Sequence, residues 1–365
     1  MKKLNMHKKR YIIPVFIPFL GCPHDCAFCN QVKITDYNEK PNFNSIKNQI
    51  DNYIKYLKDE NIEREIAFYG GSFTGIKKDE LIEYLKIAKD YKDKKIVSAV
   101  RCSTRPDYID DEILLLLKKY EVDTIELGIQ SMNDEVLKYN QRGHSVEDSI
   151  RASNLIKKYN FNLGHQLMPG LYMDTRQKDI DSAIKSVKLK PDFVRIYPTL
   201  VIKDTLLNNL YCKGLYTPLS LKEAIDISTI MYMIYTYRKI DVIRIGLQTT
   251  ENINYGKDVV SGPFHPAIRQ MVESNLMKYA IEEKLKFKNI SNIITFKCNG
   301  RNISIINGNK KSNQKYFWNK YRIKFKFEEI NSDKIILKID EQIDEIKVYE
   351  FIKRYVEKNY GGDLL

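Results

Sequence analysis

The sequence predicts an α/β fold: a partial, open, TIM-like (β/α)6 barrel followed by a small C-terminal α+β domain. Three observations lead there. Short apolar runs alternate with helix-like segments from Tyr11 to about Thr199. Several of those runs are almost wholly apolar, as strands covered on both faces should be. Beyond Thr199 the alternation stops, and short strand-like runs return only near the C-terminus.

The candidate strands of the barrel are Ile12–Phe19, Glu65–Phe68, Ile96–Arg101, Thr124–Ile129, Asn162–Met168 and Phe193–Pro198. Candidate helices fall near Phe43–Lys58, Asp79–Tyr91, Asp110–Tyr120, Ser145–Tyr159 and Asp179–Leu189, with Asp110 and Ser145 placed as N-caps. Repeated β–α units give a parallel sheet with right-handed crossovers, whose chemistry sits at the C-terminal strand ends. Pro14 and Pro18 fit only an edge or splayed strand, because proline cannot donate to the ladder.

Ser220–Tyr237 and Pro266–Lys284 read as helices and Val242–Gly246 as one more strand. Strand-like runs follow at Ile293–Lys297, Ile303–Ile306, Tyr321–Phe327 and Lys334–Ile339, then an amphipathic helix near Ile343–Glu357. The expected organisation is a core over 1–240, a helical extension over 241–288 and a small domain over 289–365.

The chain of 365 residues carries 60 Lys and Arg against 47 Asp and Glu, a net charge of +13 that attracts polyanions. Lys, Ile and Asn are abundant throughout, so part of that charge is compositional. No stretch approaches the roughly 20 apolar residues of a membrane helix. The basic Met1–Arg10 and apolar Tyr11–Gly21 imitate a lipoprotein signal, but Pro14 and Pro18 interrupt the run and no small-residue cleavage site precedes Cys22. A cytoplasmic protein is expected.

Six cysteines occur, and three cluster as Cys22-x3-Cys26-x2-Cys29 directly after the first strand. Three thiolates on one loop can each bind a different iron of a [4Fe-4S] cubane. The fourth iron then has an open position, which the amino and carboxylate groups of S-adenosyl-L-methionine can chelate, and one electron yields a 5′-deoxyadenosyl radical. Structural zinc wants four ligands; His24 lies inside the same loop, where tetrahedral closure is strained. The dispersed Cys102, Cys212 and Cys298 form no disulfide framework.

Polar groups gather at the strand ends. Gly70-Gly71-Ser72 offers a backbone turn to a ligand's ammonium group. Arg105, Glu126, Gln130, Gln166 and Met168 stand at the ends of later strands, and Phe28 precedes the last clustered cysteine. Gly70, Gly71, Ser72, Phe28, Arg105, Glu126, Gln130, Gln166 and Met168 are the candidate cofactor-binding residues; Cys22, Cys26 and Cys29 are the candidate metal ligands. Arg142, His144, His165, Arg195 and Tyr197 fall at similar positions, and none receives an acid–base role.

In this order the motifs resemble the radical SAM domain of the Elongator catalytic-subunit family. The matching pieces are Cys22-Pro23-His24, Cys26 and Cys29, Gly70–Phe73, Thr104–Asp107, Glu126–Ser131, Arg142–His144, Met168–Gly170 and the run Ile196–Ile202, across roughly Tyr11–Val242. The resemblance implies a partial barrel that binds the cluster and S-adenosylmethionine and modifies an RNA base in tRNA or rRNA. A flavodoxin or ferredoxin would supply the electron. No acetyl-CoA loop is legible in the last hundred-odd residues, and Gly262–Ala267 is similar to a segment of shorter bacterial relatives. Lysines in the tail could hold phosphates while its aromatics stack on bases. Two alternatives stand beside this reading: a radical enzyme for a small molecule or protein, and a non-catalytic metal-binding, RNA-binding module.

Overall fold

Seven strands lie side by side in the order in which they follow along the chain, every neighbouring pair parallel. The computed structural model describes residues 11–17, 21–22, 26–30, 42–56, 62–247, 254, 256–285 and 292–364. The strands are β1 (Tyr11–Ile17), β2 (Arg64–Gly70), β3 (Ala99–Thr104), β4 (Thr124–Gln130), β5 (Asn162–Leu167), β6 (Phe193–Ile196) and β8 (Asp241–Ile245). Their crossovers carry α1 (Phe43–Tyr56), α2 (Lys78–Asp93), α3 (Asp111–Lys119), α4 (Asp134–Tyr139), α5 (Val146–Lys158) and α6 (Arg176–Lys188). Each crossover advances one place along the sheet, the order of a curled half-barrel.

The two prolines of the first expected strand have different fates. Pro14 sits in β1, paired with Ala67. Tyr11 donates its N–H to Glu63 of the β2 side at 2.8 Å, so alternate residues face β2 and Pro14 faces the open edge. Its missing donor is therefore harmless. Pro18 lies outside the described residues, as do His24 and Met1–Arg10.

Capping signals set the helix starts. Asp110 accepts from the N–H of Ile113, and Ser145 forms a reciprocal capping box with Asp148. Helix α6 starts before the expected Asp179, because the Thr175 hydroxyl caps it. The third strand is Ala99–Thr104 rather than Ile96–Arg101. Lys95 is left-handed at φ 58°, and the N–H groups of Ile96 and Val97 turn back to the Tyr91 carbonyl. Those two apolar residues thus close α2 instead of opening β3.

After β6 come the short β7 (Val201–Ile202), α7 (Leu206–Cys212), α8 (Leu221–Tyr237), β9 (Val259–Ser261), antiparallel to β7, and α9 (Ile268–Leu285). Phe264 of the Gly262–Ala267 segment packs with Leu200, Ile202 and Val259, and His265 accepts the N–H of Ala267 through Nδ1 at 3.0 Å.

The C-terminal part holds β10 (Ile293–Cys298), α10 (Gly300–Asn307), α11 (Ser312–Tyr321), β11 (Lys324–Glu329), β12 (Ile336–Ile339), β13 (Gln342–Glu345) and α12 (Val348–Leu364). Its sheet order is β11-β10-β12-β13. Two expectations are corrected here. Ile303–Ile306 is helical: the Asn299 side chain caps the N–H of Asn302 and Gly308 ends the helix at φ 75°. Ile343–Glu357 is split, with Ile343 in β13 and the helix starting at Val348. Helix α11 has no counterpart among the expected elements. One apolar core runs from Ile13 of β1 to Leu364 of α12, which packs on α8 and α6.

Candidate functional site

The cysteine loop leaves β1 and docks on the turn that follows β2. Gly21 has φ +73°, and a Cβ there would lie 2.0 Å from the Ser72 carbonyl oxygen and 2.8 Å from Gly75. Only glycine allows that approach. Gly70 repeats the device from the other side at φ +119°, with a hypothetical Cβ 2.7 Å from the Ile17 oxygen. Gly71 donates its N–H to that same oxygen at 3.2 Å.

Beyond the loop start, Cys26 is buried and Cys22 and Cys29 are half-buried, all three outside disulfides. Backbone bonds fix the segment: Ala27 N–H to Asn140 O at 3.0 Å, Cys29 N–H to Cys26 O at 3.0 Å and Leu207 N–H to Ala27 O at 2.7 Å. Cys26 and Phe28 pack with Val136, Leu171, Val201, Leu207 and Tyr216, and Cys29 and Met168 lie against that cluster. This apolar wall keeps water from one side of the thiols.

Two guanidiniums serve the same place. Arg142 donates through Nη1 to the Cys26 sulfur at 3.1 Å and through Nη2 to the Gly128 carbonyl at 2.7 Å. Arg105 is held by both Asp107 oxygens at 3.0 and 2.8 Å, and against the effect of burial Asp107, with Cys26 and Cys22 to a lesser degree, raises its pKa. Among the described residues, Arg105 Nη1 and Arg142 Nε are buried without a partner. Buried donors left in this way favour an anionic group arriving between them. No three His, Cys, Asp or Glu side chains among the described residues gather as a single-ion site. Thiolates that each take a different iron need not converge on one point.

Hydroxyls tie β2 to β3 beneath the turn. Ser72 Oγ and Thr104 Oγ1 are 2.8 Å apart, Thr74 and Thr104 meet at 2.5 Å, and Arg105 N–H donates to Ser72 Oγ at 3.3 Å. His144 Nε2 faces the Ile129 carbonyl at 3.3 Å, and burial with neighbouring Arg142 pushes its pKa down to about 3, so it is neutral.

Gln130 adopts φ +60° at a register shift between Leu127 and Gln130. That bulge turns its side chain to Gln166, whose Nε2 donates to Gln130 Oε1 at 3.2 Å, and its carbonyl accepts the N–H of Met168 at 2.9 Å. The structure thereby brings Gln130, Gln166 and Met168 together.

Glu126 belongs to a different arrangement, deeper in the barrel. Arg101 Nη1 reaches its Oε1 at 2.6 Å and Arg195 Nε its Oε2 at 2.7 Å. Arg101 also donates to Glu65 at 2.7 Å, and Arg195 to the Tyr69 and Tyr197 hydroxyls at 3.1 and 3.2 Å. Burial alone would raise the Glu126 pKa, but Arg195 and Arg101 hold it below the ordinary carboxylate value. Both oxygens of Glu126 are thus engaged by protein cations.

Sequence reading passed over Glu65, Arg101 and Tyr69, although a charge inside an apolar strand is itself a signal. Asn140 was equally invisible. Fully buried, it donates to the Val136 and Tyr172 carbonyls at 2.8 Å each and supports the cysteine segment through its own carbonyl.

A parallel half-barrel whose first strand leads into a three-cysteine loop, with the Cys26 thiol bonded by the buried Arg142 guanidinium, suits an anionic metal cluster at the strand ends. Comparison with known proteins agrees. The profile of the radical SAM superfamily matches residues 16–183, and that of the radical SAM C-terminal domain matches residues 191–278. A tRNA uridine(34) acetyltransferase of Methanocaldococcus jannaschii is 33% identical over 159 residues, covering 43% of this chain and 29% of that relative. This chain therefore spans well under two thirds of that relative. An uncharacterized protein of the same organism is 30% identical over 238 residues, covering 62% of this chain and 72% of the relative. The solved structure of archaeal Methanocaldococcus infernus Elp3 shares the fold at a TM-score of 0.59 and 21% identity, covering 77% of this chain and 64% of that one. The chain belongs to the radical SAM superfamily of enzymes. The family implies a [4Fe-4S] cluster and S-adenosylmethionine, and the thiols and spare guanidinium donors fit both.

Proposed function

We propose that this enzyme holds a [4Fe-4S] cluster on Cys22, Cys26 and Cys29 and modifies an RNA base, in tRNA or rRNA. The observation that carries the chemistry is the buried Cys26 sulfur receiving a hydrogen bond from Arg142. When bound, the cluster and S-adenosylmethionine would supply a 5′-deoxyadenosyl radical. The protein's own share is positioning and shielding. Gly70, Gly71 and Ser72 offer backbone oxygens to an ammonium group. Arg105 has a spare donor for a carboxylate. Gln130, Gln166 and Met168 line the adjacent strand ends, with Phe28 excluding water and Glu126 fixing the barrel wall beneath.

The RNA reading draws support from the net charge of +13 and from relatives named for tRNA uridine(34). An electron donor such as flavodoxin or ferredoxin is part of the proposal, as is an organisation into the barrel, a helical extension and a C-terminal α+β unit. No helix among the described residues is long and apolar enough to cross a membrane. Mass spectrometry of nucleosides from a strain lacking the gene tests the substrate. Loss of one modified base supports the reading; an unchanged profile overturns it.

A further inference from the structure

Residues 310–326 contain seven cations, Lys310, Lys311, Lys315, Lys320, Arg322, Lys324 and Lys326, and no Asp or Glu. All seven are exposed. They run from the turn before α11 through its C-terminus to the edge strand β11, where Arg322 and Lys324 meet at Trp318.

Of the seven, only Lys320 pairs with a carboxylate among the described residues. Lys320 pairs with Glu282 at 2.9 Å, and the Tyr316 and Tyr321 hydroxyls donate to the same oxygen at 2.5 and 2.9 Å. Among the described residues, no carboxylate pairs with Lys310, Lys311, Lys315, Arg322, Lys324 or Lys326. On α2 and at its C-terminus, by contrast, Lys78, Lys86, Lys89 and Lys94 each pair with a carboxylate. Glu328, two residues past Lys326 on the same face of β11, is taken by Lys297 at 2.6 Å.

In the middle stands Trp318, the chain's single tryptophan, 40% exposed. The Arg322 guanidinium and the Lys324 ammonium lie over its ring at 5.7 and 5.2 Å from the centroid. Its neighbour in the helix, Phe317, is fully buried in the apolar core, whereas Trp318 stays outside it. On β11, Lys324 and Lys326 point to the outer face while Phe325 points inward. Lys326 aligns with Thr295 and Thr295 with Lys338, which extends the basic row across the sheet.

Unpaired cations around an exposed, cation-flanked aromatic match a partner with a polyanionic backbone and flat, stackable groups. Resting on the RNA reading above, we propose that this surface binds the RNA substrate, with Lys324, Lys326 and Arg322 on phosphates and Trp318 stacked on an unpaired base. Every nucleotide of a single-stranded RNA pairs a phosphate with a flat base, which is the combination this surface offers.

Fluorescence anisotropy of the full-length holoenzyme with labelled single-stranded RNA and with tRNA, between 50 and 200 mM salt, tests this. The variants are Lys324→Glu with Lys326→Glu, Trp318→Ala, Trp318→Phe, and a control of equal charge change, Lys119→Glu with Lys188→Glu. We expect the Lys324 and Lys326 pair to weaken binding roughly tenfold or more and to flatten the salt slope by about 1.4, at about 0.7 per phosphate contact. Trp318→Ala should weaken it about five- to hundredfold at unchanged slope, and Trp318→Phe should restore most of that. Equal weakening by the control pair, or unchanged binding in all variants, overturns the surface while leaving the RNA reading intact. Failure of the unaltered protein to bind RNA at 50 mM salt overturns the RNA reading itself, and this surface's partner with it.

Discussion

Arg142 bridges two elements through one guanidinium, reaching the Cys26 sulfur at 3.1 Å and the Gly128 carbonyl of β4 at 2.7 Å. A side chain that hydrogen-bonds a metal ligand fixes the ligand's orientation and charge. Arg142→Ala should therefore lower cluster affinity about 10- to 100-fold. Iron remaining after a timed chelator challenge measures it, and Arg142→Lys should fall between. Retention equal to the unaltered protein would show that Arg142 merely sits nearby.

Gly21 sets the path of the loop. Gly21→Ala forces a Cβ into the Ser72 backbone oxygen at 2.0 Å and demands φ +73° of a residue that resists it. Iron incorporation on anaerobic reconstitution should drop severalfold, with far-UV circular dichroism unchanged. Full incorporation would mean the loop docks elsewhere.

Arg101 is the shared partner of two buried carboxylates, Glu65 and Glu126. Arg101→Met leaves Glu65 without its ion-pair partner in the interior, a loss of about 3–5 kcal/mol. Urea denaturation reads it directly. A change below about 1 kcal/mol would place both carboxylates in a wetter setting than the structure describes.

His165 carries a pH signature. Ser153 Oγ donates to the Ser149 carbonyl at 2.7 Å, so at 3.0 Å it accepts from His165 Nε2–H, leaving Nδ1 to accept from Ser186 at 2.9 Å. The ring is thus neutral, and burial pushes its pKa down to about 3. The folded value lies below the unfolded value of about 6.5. The unfolded chain therefore takes the proton first as pH falls. The stability is whole above about pH 6.5 and declines towards pH 3, by up to about 1.4 kcal/mol per unit. Urea midpoints at pH 7, 6 and 5 should follow that slope, and His165→Gln should flatten it. A parallel decline in the variant would assign the slope to other groups.

The barrel was legible because its strands are covered on both faces and read as short apolar runs; β2, β4, β5 and β6 each fall within about two residues of expectation. Pro14 even pointed to an edge, where β1 lies. Ile303–Ile306 misled because β-branched residues also line helices when a cap at Asn299 and a stop at Gly308 dictate one. The cysteine spacing was a local signal and needed no tertiary knowledge. The Arg101–Glu126–Arg195 lattice joins three strands, so its pairing depended on strand order. Asn140 stayed hidden because its bonds to Tyr172 and Ala27 join segments 32 and more residues apart.

The most direct test of the account is iron and cofactor cleavage in protein reconstituted without oxygen. The account predicts about four irons per chain and reductant-dependent release of 5′-deoxyadenosine, both abolished when Cys22, Cys26 and Cys29 are replaced by alanine. A single zinc per chain with no cleavage, or a chromophore that survives the triple replacement, would contradict it.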